Sequence, residues 1–219
     1  MITKLQNARI YDPINRINGK IRDLYIKNNK IIDKPGRGEK ISKVINLKNK
    51  IIMAGGIDIH SHIAGGKVNL ARLLLPEEHR KYLYSSSDKL RSGSGLGTCS
   101  SFHIGYKYAK LGYTAVFEPA TLPSNARSTI IEMSDIPFID KGTYTVLSND
   151  DFLLKLIQKK SNQKKINDYV AWIIQSTKSL GIKIVNPGGI NAFKFNQREL
   201  DLDEKNKKYG ITPRSILKV

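Results

Sequence analysis

From residue 51 onward the chain alternates short apolar runs with helical stretches, and this alternation constrains the fold more than any other feature. Ile51-Ile52-Met53 leads into Ile57-Asp58-Ile59-His60, which reads as a buried strand. Tyr113-Thr114-Ala115-Val116-Phe117 is a second strand, after a helical stretch that ends in Leu111-Gly112, where glycine stands at the expected stop. A helix over residues 125–133 leads to a third strand, Tyr144-Thr145-Val146-Leu147. Ser148 or Asn149 is expected to cap the next helix, whose Asp150-Asp151 suits the positive end of its dipole. A long helix follows over residues 164–180, with Ile166, Tyr169, Val170, Ile173, Ile174 and Thr177 recurring every three to four residues. Gly181 is expected to stop it before a fourth strand, Ile182-Lys183-Ile184-Val185-Asn186. Successive βα units require a parallel sheet with helical crossovers, doubly wound or barrel-like.

Residues 1–50 follow a different rhythm. Leu24-Tyr25-Ile26-Lys27 and Lys30-Ile31-Ile32-Asp33 flank Asn28-Asn29, two residues that tolerate the positive φ of a tight hairpin turn. Pro13 and Pro35-Gly36-Arg37-Gly38 punctuate the rest. The expected organisation is therefore a β-rich module over 1–50 and a βα domain over 51–219. Tyr84 to Cys99, rich in Ser and Gly, is too long for an ordinary connection and reads as a functional or mobile loop.

Composition excludes several classes. No apolar run reaches the roughly 18 residues of a membrane span, and Met1 to Ile10 lacks the apolar core of a secretory signal. The single cysteine, Cys99, has no partner for an internal disulfide, so the expected compartment is the cytoplasm. The net charge of +18 suggests nucleic acid at first. However, residues 1–50 alone hold 13 basic and 4 acidic side chains in a segment that reads as plain β structure. Zinc-finger spacing and RNA-binding aromatic signatures are missing, so no nucleic-acid partner is expected.

His60-Ser61-His62 follows the first strand of the βα series. Residues two apart in extended chain point to the same side, roughly 6.6 Å apart, so two imidazoles there can grip one divalent ion. The C-terminal ends of strands are where α/β proteins build active sites; two hydrogen-bonded histidines at a strand end are the structural alternative. Lys194 lies between Phe193 and Phe195 after the fourth strand. An apolar setting disfavours its ammonium form, and a neutral amine can add carbon dioxide to become an anionic carbamate. An ordinary lysine with its stem on aromatic rings fits the same residues. Gly65-Gly66 allows close backbone approach, and Lys67, Asn69 and Arg72 either face a ligand or open a helix with solvated charges. Glu118 at the end of the second strand either orients ligands from behind or makes a structural ion pair. Cys99, His103 and His79 read as non-catalytic, and Gly93-x-Gly95-x-Gly97 does not fit a dinucleotide fingerprint.

The β module, the strand-end His-x-His and the lysine after the fourth strand together resemble the metal-dependent amidohydrolase superfamily. Gly55-Gly56-Ile57-Asp58-Ile59-His60-Ser61-His62-Ile63-Ala64-Gly65-Gly66-Lys67-Val68-Asn69 is similar to the A subunits of formylmethanofuran dehydrogenase. So are Phe117-Glu118-Pro119-Ala120, Leu122-Pro123-Ser124-Asn125-Ala126-Arg127 and Asn186-Pro187-Gly188-Gly189. Leu73-Leu74-Leu75-Pro76-Glu77-Glu78-His79-Arg80 and the ending Tyr209-Gly210-Ile211-Thr212-Pro213-Arg214-Ser215 look more like the A subunits of formyltransferase/hydrolase complexes.

The resemblance implies an α/β fold: a small N-terminal β module, then the first half, about four βα units, of an amidohydrolase-type TIM barrel. It implies two zinc ions, with His60 and His62 on one metal and Lys194 as the carbamylated bridge. Lys67, Asn69 and Arg72 would face the substrate. The implied reaction cleaves the formamide of formyl-methanofuran or formyl-methylofuran to formate and the free amine. The remaining metal ligands and the catalytic carboxylate are expected beyond Val219, so the chain reads as an N-terminal fragment or one half of a split protein. Partners would be the other subunits of such a complex and a second chain completing the barrel. A generic cyclic amidase and a non-catalytic scaffold subunit of the same complex are the alternatives.

Overall fold

The computed structural model describes residues 1–77, 92, 100–198 and 200–219. The Tyr84–Cys99 loop, His79 and Cys99 therefore lie outside the described residues, apart from Ser92. The chain forms two units, Met1–Gly55 and Gly56–Val219.

In the first unit, β1 (Ile2–Asp12) and β2 (Ile17–Lys27) form a long antiparallel ribbon. The expected hairpin is present: β3 (Lys30–Ile32) pairs with β2, and Asn28 and Asn29 take φ of 49° and 62° in the turn. Asn7 also takes a positive φ, 62°, at a bulge where its N–H donates to Asp23 Oδ1. β4 (Lys43–Asn46) and β5 (Ile51–Ile52) pair with β1 in parallel. Ile51-Ile52 thus belongs to this sheet and does not lead into the βα series, because its backbone is used by Arg9 and Ile10.

The second unit holds a four-stranded parallel sheet in the order β6 (Gly56–Asp58), β7 (Tyr113–Thr121), β8 (Asp140–Val146), β9 (Gly181–Lys183). Helices α1 (Gly66–Leu73), α2 (Phe102–Lys110), α3 (Ala126–Ser134), α4 (Asp151–Gln158), α5 (Gln163–Thr177), α6 (Gly189–Lys194) and α7 (Pro213–Leu217) accompany it. The sequential strand order is that of successive βα units, and it gives the half-barrel that the family resemblance implied. One core packs Val116 of β7 against Ile104, Met133, Ile136 and Ile139. Glycine is needed at position 105, where a Cβ would stand 2.1 Å from the Pro137 carbonyl oxygen. A second core joins Leu147, Leu153 and Leu156 to Ile166 and Ile173 of α5. Beside it, Leu154 packs on Tyr209 and Ile216.

Several boundaries differ from expectation. The first strand ends at Asp58, before the histidines, and it is not buried: Ile57 and Ile59 are 64% and 65% exposed. β6 is an edge of the sheet formed by the described residues, and none of these covers the two isoleucines. Asp150, not Ser148 or Asn149, caps α4, accepting from the Leu153 N–H at 2.8 Å. Ser148 instead bonds both the N–H and the carbonyl of Val185. The long helix stops at Lys178, which takes the left-handed conformation at φ 56°, and Gly181 opens β9. The fourth strand is correspondingly short.

Candidate metal and hydrolase site

The C-terminal ends of β6, β7 and β9 meet around the two histidines. Beyond Asp58 the chain turns: the His60 N–H donates to Asp58 Oδ1 at 3.0 Å, and the Ser61 N–H donates to the Phe117 carbonyl at 2.9 Å. The neighbouring Ser61 hydroxyl and the hydrogen bond from the His60 N–H hold the Asp58 carboxyl below its ordinary range. The turn leaves both imidazoles exposed and edge-to-face, their centroids 5.4 Å apart at 87°.

Glu118 anchors the arrangement from beneath. It is 1% exposed, and its hydrogen-bond partners among the described residues are donors. Oε2 accepts from the N–H groups of Ile63 at 2.8 Å and Ala64 at 3.3 Å; Oε1 accepts from the Ala120 N–H at 2.9 Å. His62 Nδ1 lies 3.1 Å from Oε1. A carboxylate can only accept, so Nδ1 carries a proton here, and in the neutral ring the lone pair is then on Nε2. A carboxylate behind a histidine in this way fixes the tautomer of a metal ligand.

Lys183 closes the group. It is the last residue of β9, and its Nζ lies 3.1 Å from His60 Nδ1, across 123 residues of sequence. Lys194 is placed differently. It ends α6 and is exposed, with no hydrogen bond or ion pair to either histidine among the described residues. The described residues do not form the apolar enclosure expected around it, because Phe193 is 68% exposed and Phe195 faces solvent under Lys208, 4.5 Å from its ring. Sequence reasoning missed Lys183; the available signal was a lone cation inside the apolar run Ile182-Lys183-Ile184-Val185.

The residues expected to face substrate mostly hold the loop after His62. Asn69 Nδ2 donates to Glu132 Oε1 at 2.8 Å, and the Gly65 N–H donates to Glu132 Oε2 at 2.8 Å. Arg72 reaches the Ile63 carbonyl at 2.7 Å and Asn69 Oδ1 at 3.3 Å. Gly65 takes φ 97°, and a Cβ there would stand 2.8 Å from Thr129 Oγ1. Glu132, which no motif marked, is thus the hub of this loop, while Lys67 is exposed at the start of α1. A cavity of about 280 Å³ lies beside His62, lined by Arg72, His103, Lys107 and Tyr108 among others.

The two imidazoles, one already in the ligating tautomer, and a lysine aimed at the other fit a divalent metal centre. They do not complete one: among the described residues no three His, Cys, Asp or Glu side chains converge.

Comparison with known proteins gives the same direction. A model of the Amidohydrolase family matches residues 43–201. The chain is 37% identical over 214 residues to Protein FwdA of Methanocaldococcus jannaschii, covering 98% of this chain and 37% of that protein. It is 36% identical over 217 residues to the A subunit of the formyltransferase/hydrolase complex Fhc of Methylorubrum extorquens, covering 99% of this chain and 38% of the relative. The crystal structure of that organism's formyltransferase/hydrolase complex (FhcABCD) with methylofuran superposes with a TM-score of 0.84 at 35% identity, over 99% of this chain and 38% of the other. The chain therefore spans little more than a third of the length of the relatives it matches. Among the described residues, no helix is long and apolar enough to cross a membrane.

Proposed function

The chain belongs to the amidohydrolase family, and from that premise we propose that it is the metal-holding part of a hydrolase cleaving the formamide of a formylated furan amine, with formate and the free amine as products. The observation that carries this reading is the meeting of His60, His62 and Lys183 at one strand-end mouth, with Glu118 behind. His62 would hold a metal through Nε2 while Glu118 keeps its ring oriented. His60 would bind beside it. Lys183, which points its amine at His60 Nδ1, would take the bridging role expected of Lys194. Divalent ions held by these residues would supply Lewis acidity for activating water and polarising the formyl carbonyl. The network of buried Glu118 and half-buried Glu132 holds the loop from Ile63 to Asn69, which would form the near wall of the substrate site. The proton-moving carboxylate is not assigned to a residue of this chain. Similarity to Protein FwdA and to the A subunit of Fhc supports a furan carrier as substrate and the other subunits of such a complex as partners.

A second reading, a scaffold that keeps the fold without chemistry, draws on the absence of a three-ligand cluster among the described residues. Metal analysis separates the two. The purified chain should take up zinc or cobalt, the uptake should be lost in His60→Ala/His62→Ala, and bicarbonate should raise it. Lys183→Ala should lower uptake at least tenfold, and Lys194→Ala should leave it unchanged. Equal uptake by the double histidine variant refutes the hydrolase reading, and loss at Lys194 in place of Lys183 refutes the assignment of the bridge.

A further inference from the structure

β9 is short. Its three residues pair with β8 as Tyr144↔Gly181, Thr145↔Ile182 and Val146↔Lys183, and the bond from the Leu147 N–H to the Lys183 carbonyl is long at 3.3 Å. Side chains hold the strand at both ends. At its entry the Leu180 N–H donates to the Thr143 carbonyl at 2.9 Å, and Ser179 Oγ lies 3.0 Å from Thr143 Oγ1. At its exit Ser148 Oγ donates to the Val185 carbonyl at 2.8 Å and accepts from the Val185 N–H at 3.1 Å. Asn149 Nδ2 donates to the carbonyls of Val185 at 3.1 Å and Asn186 at 3.3 Å, while Oδ1 accepts from the Ile190 N–H at 3.1 Å. The Asn149 carbonyl in turn accepts from Nδ2 of Asn191, which is 1% exposed. One amide thus ties three backbone groups, all just beyond Lys183, to the end of β8.

We infer that Asn149 is a positioning residue for the metal group: it holds the exit of β9 where the Lys183 amine reaches His60 Nδ1. The inference rests on the reading of Lys183 as a member of that group. The lysine stem has to cross from β9 to the β6 end, so a retreat of the strand end is a retreat of the amine. Groups that share a metal must be held within roughly 0.5 Å of their working geometry by the residues around them. Among the described residues, no hydrogen bond of the Asn149 side chain goes to His60, His62 or Lys183. It therefore acts on the amine through the backbone. Ser148 grips the same exit but is 1% exposed, so removing its hydroxyl would cost stability as well as position. Asn149 is half-buried, and water can replace its bonds at small cost in stability. Water cannot replace their direction.

Zinc competition with a chromophoric chelator, run as a double-mutant cycle, tests this. Asn149→Ala should weaken zinc binding roughly tenfold, the lower end of what losing a supporting partner costs. In a Lys183→Ala background the same substitution should change nothing further, because Asn149 acts through that lysine. Amide exchange at Ile190 should accelerate in Asn149→Ala, reporting the loosened exit. Tyr209→Phe, whose lost hydroxyl bonds Asp151 of α4 and no residue of β9, should leave zinc affinity at the parent value. That control separates position from stability. Zinc affinity within about twofold of the parent in Asn149→Ala, with Lys183→Ala weakened, overturns the inference and leaves the hydrolase reading standing. Losses that add in the double variant, or equal weakening in Tyr209→Phe, also overturn it. If Lys183→Ala binds zinc as the parent does, the reading of the lysine fails and the inference falls with it. Should Asn149→Ala fail to fold, Asn149→Asp decides the matter. It keeps the acceptor for Ile190 but sets an oxygen against two carbonyls, and its charge alone favours a bound cation. Weaker zinc binding there supports the positioning role, and affinity at or above the parent value refutes it.

Discussion

Replacing Glu118 with glutamine keeps the shape of a buried side chain and exchanges one acceptor oxygen for an NH2 donor. Four donors surround the carboxylate, two at each oxygen: Ile63 and Ala64 N–H at Oε2, and Ala120 N–H and the His62 ring at Oε1. With the amide nitrogen at the Oε2 position, two backbone N–H groups face a donor and both bonds are lost. With it at Oε1, one backbone bond is lost, and the imidazole can restore the other by moving its proton from Nδ1 to Nε2. The second orientation is the cheaper one. It loses one charge-assisted bond, worth about 1.5–3 kcal/mol, and weakens the pair at Oε2 by roughly 1 kcal/mol more. The smaller desolvation of a neutral amide offsets part of this, so a net destabilisation of about 2–4 kcal/mol is expected. The tautomer change has a separate effect. A proton on Nε2 removes the lone pair that faces the mouth, and the loss of such a carboxylate partner costs roughly 10–100-fold in metal affinity. Urea melts read the first quantity, and competition with a chromophoric chelator reads the second. Nitrogen-15 spectra of His62 report which ring nitrogen is protonated. Metal affinity within about twofold of the parent, with the proton still on Nδ1, would refute the role assigned to Glu118.

Two further outcomes follow from other parts of the fold. Tyr209 donates to Asp151 Oδ1 at 2.6 Å, and burial, reinforced by that hydrogen bond, pushes its hydroxyl up to about 12. A raised phenol stabilises the fold fully below its unfolded value near 10 and loses that contribution as pH climbs through about 12. Tyr209→Phe should therefore lower Tm at pH 8 but shrink the further loss between about pH 10 and 12; an unchanged alkaline limb refutes the assignment. Gly105→Ala would place a methyl 2.1 Å from the Pro137 carbonyl oxygen, so α2 must shift, with about 2–3 kcal/mol lost in urea unfolding. A loss below about 0.5 kcal/mol would show that the helix moves freely at that point.

The parts of this fold that local physics decides were legible in the sequence. The Asn28-Asn29 turn needs two positive-φ residues, and the chain supplies two that tolerate them. The helix of Ile166, Ile173 and Thr177 was visible because its buried face recurs at helical spacing. Its end was not. Gly181 offered the stronger stop signal, yet Lys178 takes the left-handed position, because the backbone of Leu180 is already committed to Thr143 of β8. His60 and His62 were marked by their place after a strand. The lysine proposed as their partner was not, since nothing local separates Lys183 from any polar residue of an edge strand, whereas Lys194 had two aromatic neighbours that suggested an apolar shelter. Those rings turn outward. What selects Lys183 is its neighbour across the sheet, and pairing of that kind is set by three crossovers rather than by any window of sequence.

The contact between Lys183 and His60 also reports the curvature of the sheet. On a flat sheet, β6 and β9 would stand about 14 Å apart, yet the amine and the ring nitrogen lie at 3.1 Å. The long lysine stem covers part of that gap, the turn after Asp58 swings His60 inward over the mouth, and the curl of the half-barrel sheet closes the rest. The twist of parallel strands supplies the curl, and the hydrogen bonds of Asp58 and Glu118 supply the turn and its support. The site is therefore not an addition to the half-barrel. A flatter sheet would keep every strand pair and every core contact of β7 with its helices, and would still separate the two groups on which the proposed metal centre depends.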